Sequence, residues 1–172
     1  MPEDVDRYAV ALGVLTATSA ALPALLEPLP AALWDFSPAP GEWTPHQTLT
    51  HMLSVETIII PVRVRAMLAE DGAPMPRPAA EAPVAPPAET LRAWRAAREE
   101  NLAFLRGLTP EQLARAGVHR HYGSITAREH IIEWAYHDLD HLRALQATIE
   151  ACLYPEIGGF RALYPQPFPA SE

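Results

Sequence analysis

"TAREHIIEWAYHDLDHLRALQATIEA", residues 126–151, decides the fold class. Thr126 and Glu129 form a capping box, in which each side chain accepts from a backbone N–H that the first helical turn leaves free. Ile131, Ala135, Leu142, Leu145 and Ile149 then recur at spacings of three, four and seven, which puts them on one face of a helix. Glu129, Glu133, Asp140 and Arg143 fall on the opposite, wet face. His130, His137 and His141 gather on the flank of the apolar arc with Trp134 beside them, and Asp138 falls inside it. A carboxylate in that arc is costly unless a donor meets it. His137 and His141 are four residues apart and point the same way. Such a pair is common by chance and decides nothing alone.

Three more helical runs surround this one, and no β-type alternation stands out. The first covers about 3–26, with Tyr8, Leu12, Leu15, Ser19, Leu22 and Leu26 on one side and Pro28 and Pro30 beyond its end. The second opens at Thr44, where Pro45 takes the first helical position and Gln47 completes a capping box. It runs to about residue 70, with Leu49, Met52, Ile59, Ile60 and Met67 buried. Pro61 lies inside it and predicts a kink, because proline lacks the N–H and clashes with the preceding turn. The third spans about 88–107, with Leu91, Trp94, Leu102 and Leu105 on one side, and "TPEQ" at 109–112 starts a short extra helix. Residues 71–87 are too proline-rich for regular structure and read as an extended crossover. The expectation is an all-α four-helix bundle over 1–151, followed by an irregular proline-rich tail over 152–172.

Composition narrows the function classes. With 13 basic against 21 acidic residues and a net charge of −8, the chain lacks the cationic surface that phosphate-backbone binding requires. A nucleic-acid partner is therefore not expected. Cys152 is the single cysteine, which excludes an internal disulfide and a thiolate metal cluster. The acidic start "MPEDVDRY" does not read as a signal peptide, and no uncharged apolar run is expected to reach the length of a membrane span. A cytoplasmic protein acting on a small molecule, with no membrane partner, is the expectation. The tail carries Tyr154, Ile157, Phe160, Leu163, Tyr164 and Phe168. That is enough apolar surface to predict either packing on its own bundle or a homodimer.

Charged groups interrupt the other helical seams too. Glu56 and Arg63 lie on the buried side of the second helix, with His51 at its edge, and Arg98 interrupts the third. One reading is a structural ion-pair network with solvated histidines at its margin. The other is a metal site, for which His137 and His141 supply two positions and a facing helix a third. His51 is the best-placed third ligand. His46 sits in a first turn and is expected to be wet. His119 and His121 fall in a loop, and His130 is two turns from His137, too far along the axis to share an ion.

"GEWTPHQTLTHMLSVE" (41–56) followed by "YGSITAREHIIEWAYHDLDHLRAL" (122–145) resembles the DinB/YfiT-like superfamily. Trp43, His51, Gly123, His137, Asp138 and His141 stand where that pattern has its residues. The resemblance implies a four-helix bundle binding a divalent metal, zinc or nickel, through His51, His137 and His141. Some relatives are thiol-dependent transferases using low-molecular-weight thiols; others resemble metal-dependent hydrolases.

Three neutral imidazoles leave an ion its full charge and an open position, which suits either a bound thiol or a bound water. The expectation taken forward is thiol-dependent S-transfer to a small electrophile. A metal hydrolase and a non-catalytic metal- or ligand-binding stress protein are the alternatives. Glu56 is the candidate general base. Asp138 is the candidate carboxylate behind a ligand imidazole such as His51 or, alternatively, the partner of a buried arginine. Arg63, Arg98 and Arg128 are the candidate cations for a thiol cofactor's carboxylates, and Glu56, Arg63 and Arg98 are expected to form one network.

Overall fold

Capping boxes set the starts of three helices. In the computed structural model, which describes residues 5–77 and 81–168, α1 covers Arg7–Leu26 and α2 Pro45–Ser54. α3 covers Ile60–Ala69, α4 Pro87–Arg106, α5 Pro110–Ala114 and α6 Ala127–Leu153. Reciprocal caps are present at Thr44/Gln47, Thr109/Gln112 and Thr126/Glu129. Asp6 caps α1 through the N–H of Tyr8. The part of the expected first helix before residue 5 lies outside the described residues.

The bundle is made by α1, the α2–α3 pair, α4 and α6. α1 packs on α6 and α4, α2 on α4 and α6, and α3 on α6. Its buried face is Tyr8, Ala11, Leu15, Thr18, Leu22 and Leu26, rotated by about one residue from the predicted stripe, so Leu12 and Ser19 are half-buried. α1 also corrects the membrane expectation: it is long and apolar enough to cross a bilayer by length and composition. Here Tyr8, Ala11, Leu15, Leu22 and Leu26 go into the bundle core, against α6 and α4, while Val10 stays exposed.

The predicted kink at Pro61 takes a definite form. Val55–Ile59 is a π-turn between α2 and α3, and the N–H of Ile60 bonds back to the carbonyl of Val55. Pro61 cannot donate to Thr57, so the helix widens by one residue just before it. Past this turn Ile60, Val64 and Met67 are buried, while Ile59 and Arg63 are only half-buried.

Two strands were not predicted. β1 (Ala116–His119) pairs antiparallel with β2 (Gly123–Thr126). Each is four residues long, too short to display alternation, and the turn is closed by Gly123 at φ +75°. The start of the crossover lies alongside: Gly72 donates to Ala116, Val118 to Ala73 and Met75 to Val118. Gly117 permits that contact, since a Cβ there would lie 3.0 Å from both Met67 and Met75 Cγ. Otherwise the crossover is irregular, as predicted, and residues 78–80 lie outside the described residues. The backbone of Ala82 is tied to Ser54 Oγ at 2.8 Å.

The apolar core falls into two clusters. Leu15, Ile60, Val64, Leu102, Leu105, Ile131 and Trp134 belong to one; Leu22, Leu26, Leu49, Met52, Leu91, Trp94 and Leu145 belong to the other. On each bundle helix a polar residue stands between the two sets: Thr18, Glu56, Arg98 and Asp138. After α6 the tail makes short 3-10 turns at Tyr154–Glu156 and Gly158–Ala162, with Phe160, Leu163 and Tyr164 exposed.

Candidate metal centre

His51 lies in the second turn of α2, and α6 presents His137 and His141 one turn apart opposite it. The Nε2 atoms of His51 and His137 are 3.0 Å apart, and one ligand atom from each of the three rings lies within 4.8 Å of the others. A tetrahedral ion with N ligands at 2.0–2.1 Å requires nitrogens roughly 3.3 Å apart. The set therefore fits an ion after small adjustments. Trp43 closes one side, 5.0 Å from the His51 ring and stacked at 5.9 Å, nearly parallel, on His141.

The rings are half-buried and neutral at physiological pH. Burial holds all three below the ordinary histidine value; His141 adds to the effect at His51, with Glu81 opposing. His137 is pushed to about 4, by burial first and then by its two histidine neighbours. Its Nδ1 is buried without a hydrogen-bond partner among the described residues. Neutral imidazoles with free lone pairs are what a divalent ion requires.

The structure separates the other predicted residues from this face. Arg98 is 1% exposed and every donor is engaged. Nε and Nη2 donate to the two oxygens of Glu56 at 2.8 and 2.7 Å. Nη1 and Nη2 donate to Asp138 at 2.6 and 3.1 Å, and Nη1 also reaches Thr18 Oγ1 and the Leu15 carbonyl. Burial opposes the charge, but the two carboxylates outweigh it and hold the guanidinium above its usual range. Asn101 donates to Glu56 as well, and Thr18 to Asp138.

Two expectations, for Glu56 and Arg98, are corrected here, and the two alternatives for Asp138 are decided. Glu56, fully buried with both oxygens occupied, is not placed as a general base at the histidines. Asp138 pairs with Arg98 rather than accepting from a ligand imidazole, because it points about 100° away from His137 into the bundle. Arg98 has no donor left for a thiol cofactor.

Arg63 and Arg128 are elsewhere. Arg63 does not join the network: its Nε donates to the Pro76 carbonyl, on the side of Glu133 and His119. The π-turn rotates it off the seam that Glu56 occupies. Arg128 is bound to Asp6 at 2.8 Å, nine residues before His137 and about 13 Å along α6. His46 differs from the expectation of a wet side chain, and His130 stands apart from the three-histidine cluster as expected. His46 is half-buried, with Nε2 2.8 Å from the Ala85 carbonyl, and His130 is buried, with Nε2 unpartnered among the described residues.

Thr18 and Asn101 were missed, although each had a signal: a polar residue at core spacing between Leu15 and Leu22, and one three residues after Arg98. Glu81 gave no signal, because only the path of the crossover brings it near His51.

The profile of the DinB superfamily matches residues 15–145. The chain belongs to the DinB superfamily. Among solved structures, YfiT from Bacillus subtilis matches with a TM-score of 0.76 at 20% identity, over 88% of this chain and 92% of that one. It is described as a probable metal-dependent hydrolase with an unusual four-helix bundle topology. TT2238, described as a four-helix bundle protein, matches with a TM-score of 0.58 at 26% identity, over 81% and 98%. No curated protein sequence matches. The DinB bundle is thus shared, and here it carries a three-histidine cluster able to hold a metal.

Proposed function

We propose that this DinB-superfamily protein is a divalent-metal-dependent hydrolase acting on a small molecule at the His51–His137–His141 face. The observation that carries the reading is the convergence of three neutral imidazoles beside an open cleft of about 490 Å³, lined by Trp43, Thr48, His141 and Thr148. Clefts of this size hold small molecules. An ion there, zinc or nickel as the family resemblance implies, would supply Lewis acidity and an acidified water. His51, His137 and His141 hold it, and Trp43 shields one side and shapes the cleft. YfiT's description supports the same reading.

Thiol-dependent S-transfer uses the same open position but requires cations for the thiol's carboxylates. Arg98 and Arg128, two of the three nominated, are engaged with carboxylates elsewhere. The test loads the purified chain with zinc or nickel and assays a panel of small esters and amides with and without added thiol. Hydrolysis without thiol, abolished by chelation and in His137→Ala, supports the proposal. Thiol-dependent conjugation of monobromobimane would replace it with S-transfer. Inertness with metal retained would make the protein a metal- or ligand-binding one.

We also propose a two-fold dimer through the tail end of the bundle. Leu153, Phe160, Leu163 and Tyr164 are exposed there, beside an apolar groove of Leu29, Leu33, Phe36 and Ile149. Light scattering on the full chain should give a dimer, and truncation after Ala151 should give a monomer.

A further inference from the structure

The walls around the three histidines carry mostly one sign of charge. Glu42 and Asp140 line the cleft that touches Trp43 and His141, and Glu81 lines a second, of about 380 Å³, with Trp43 and His51. Among the described residues Arg143 is the one arginine on these two walls, and it is committed to Asp140 at 2.8 Å. Apart from the histidines, the charges felt at the three rings are carboxylates: Glu81 at His51, Asp138 and Glu133 at His137, Asp140 and Asp138 at His141. Arg98 neutralises Asp138, Arg143 neutralises Asp140, and Arg63 partly offsets Glu133. Glu42 and Glu81 remain, and neither makes an ion pair among the described residues.

Trp43 lines both clefts, with Glu42 on the wall of one and Glu81 on the wall of the other. Trp43 is 46% exposed; one side of its indole lies over His141. Glu42 precedes it in the chain, and Glu81 is held near by the Ala82 tie to Ser54. A half-exposed indole with a carboxylate in each adjoining cleft attracts an ammonium group through cation–π and Coulomb terms together. It repels an anion of the same size.

We infer that the substrate of this site is a small organic cation, which offers a neutral oxygen donor on the histidine side and sets an ammonium group among Trp43, Glu42 and Glu81. The inference rests on the reading of the three histidines as a metal face with an open position. It also sets the site apart from one built for carboxylate-bearing thiols.

Binding, without turnover, tests it. Three hydroxamates share one metal-seeking head and differ in tail charge: β-alanine hydroxamate, acetohydroxamate and succinic monohydroxamate. Calorimetry on the zinc-loaded full chain should rank them cationic, neutral, anionic, with about tenfold between the first two. Added salt should narrow the gap. The Glu42→Gln/Glu81→Gln double variant should bring the three together while leaving acetohydroxamate affinity unchanged, and Trp43→Leu should weaken the cationic one most. Equal affinities in the native chain, or tightest binding of the anion, would overturn the inference and leave the metal face standing. Failure of all three hydroxamates to bind would remove the open metal face and the inference with it.

Discussion

His137 and Asp138 are neighbours in sequence on one helix, yet they belong to opposite environments. Asp138, Glu56 and Arg98 form a layer across the bundle, each 1% exposed and each oxygen and guanidinium donor engaged. The histidine face, one residue round the same helix, is half-buried, uncharged and incompletely hydrogen-bonded. In the layer, buried polar groups are tolerated because every one has a partner; at the histidines, charge is suppressed and valence is left open. A saturated site can only hold the bundle together, whereas an unsaturated one can take a ligand.

Arg98→Met should break the layer most severely. It strands Glu56 and Asp138 in the core and should cost about 3–5 kcal/mol in urea unfolding. A loss below ~1 kcal/mol would mean that the carboxylates had found water, and that the layer is not dry. Asp138→Asn is milder, because Arg98 keeps Glu56; a loss of about 2 kcal/mol with metal content unchanged is expected. Loss of metal in this variant would couple the two regions that the geometry separates.

The histidine face should answer in the opposite sense. His51→Ala, His137→Ala and His141→Ala should each abolish most metal binding, read by elemental analysis. Their melting in the metal-free state should shift by no more than about 1 kcal/mol, since no charged pair is broken. Full metal content in His51→Ala would remove the α2 ligand from the site.

The pH dependence of the metal-free protein separates the two regions as well. Burial first, then His141 and His51, hold folded His137 at about 4 against the ordinary 6.5. Between these values the unfolded chain binds the proton and the folded one does not. His137 therefore contributes stability that is full above about 6.5 and is lost as pH falls toward 4. Urea midpoints across that window should fall more steeply in the native chain than in His137→Gln. Equal slopes would mean that the ring is solvated.

Much of this was legible residue by residue. The capping boxes at Thr44, Thr109 and Thr126 are local hydrogen-bond chemistry and formed where they were read. Asp138 was recognisable as a carboxylate in need of a donor, and Arg98 as a cation in an apolar seam. The hairpin was not legible, because four-residue strands carry no periodicity and β1 is held by the crossover and by Met67 from distant parts of the chain.

The sequence by itself determined which residues share a face: helical period and caps depend only on neighbours within a few positions, so four helices, a histidine flank and a polar seam follow from the chain alone. Tertiary structure decided who meets whom. The π-turn before Pro61 rotated Arg63 away from Glu56, the axial level of α4 set Arg98 between Glu56 and Asp138, and the crossover carried Glu81 toward His51. Such pairings depend on the rotation and height of one helix against another, to within the length of a hydrogen bond. Periodicity along a single helix contains no information about either.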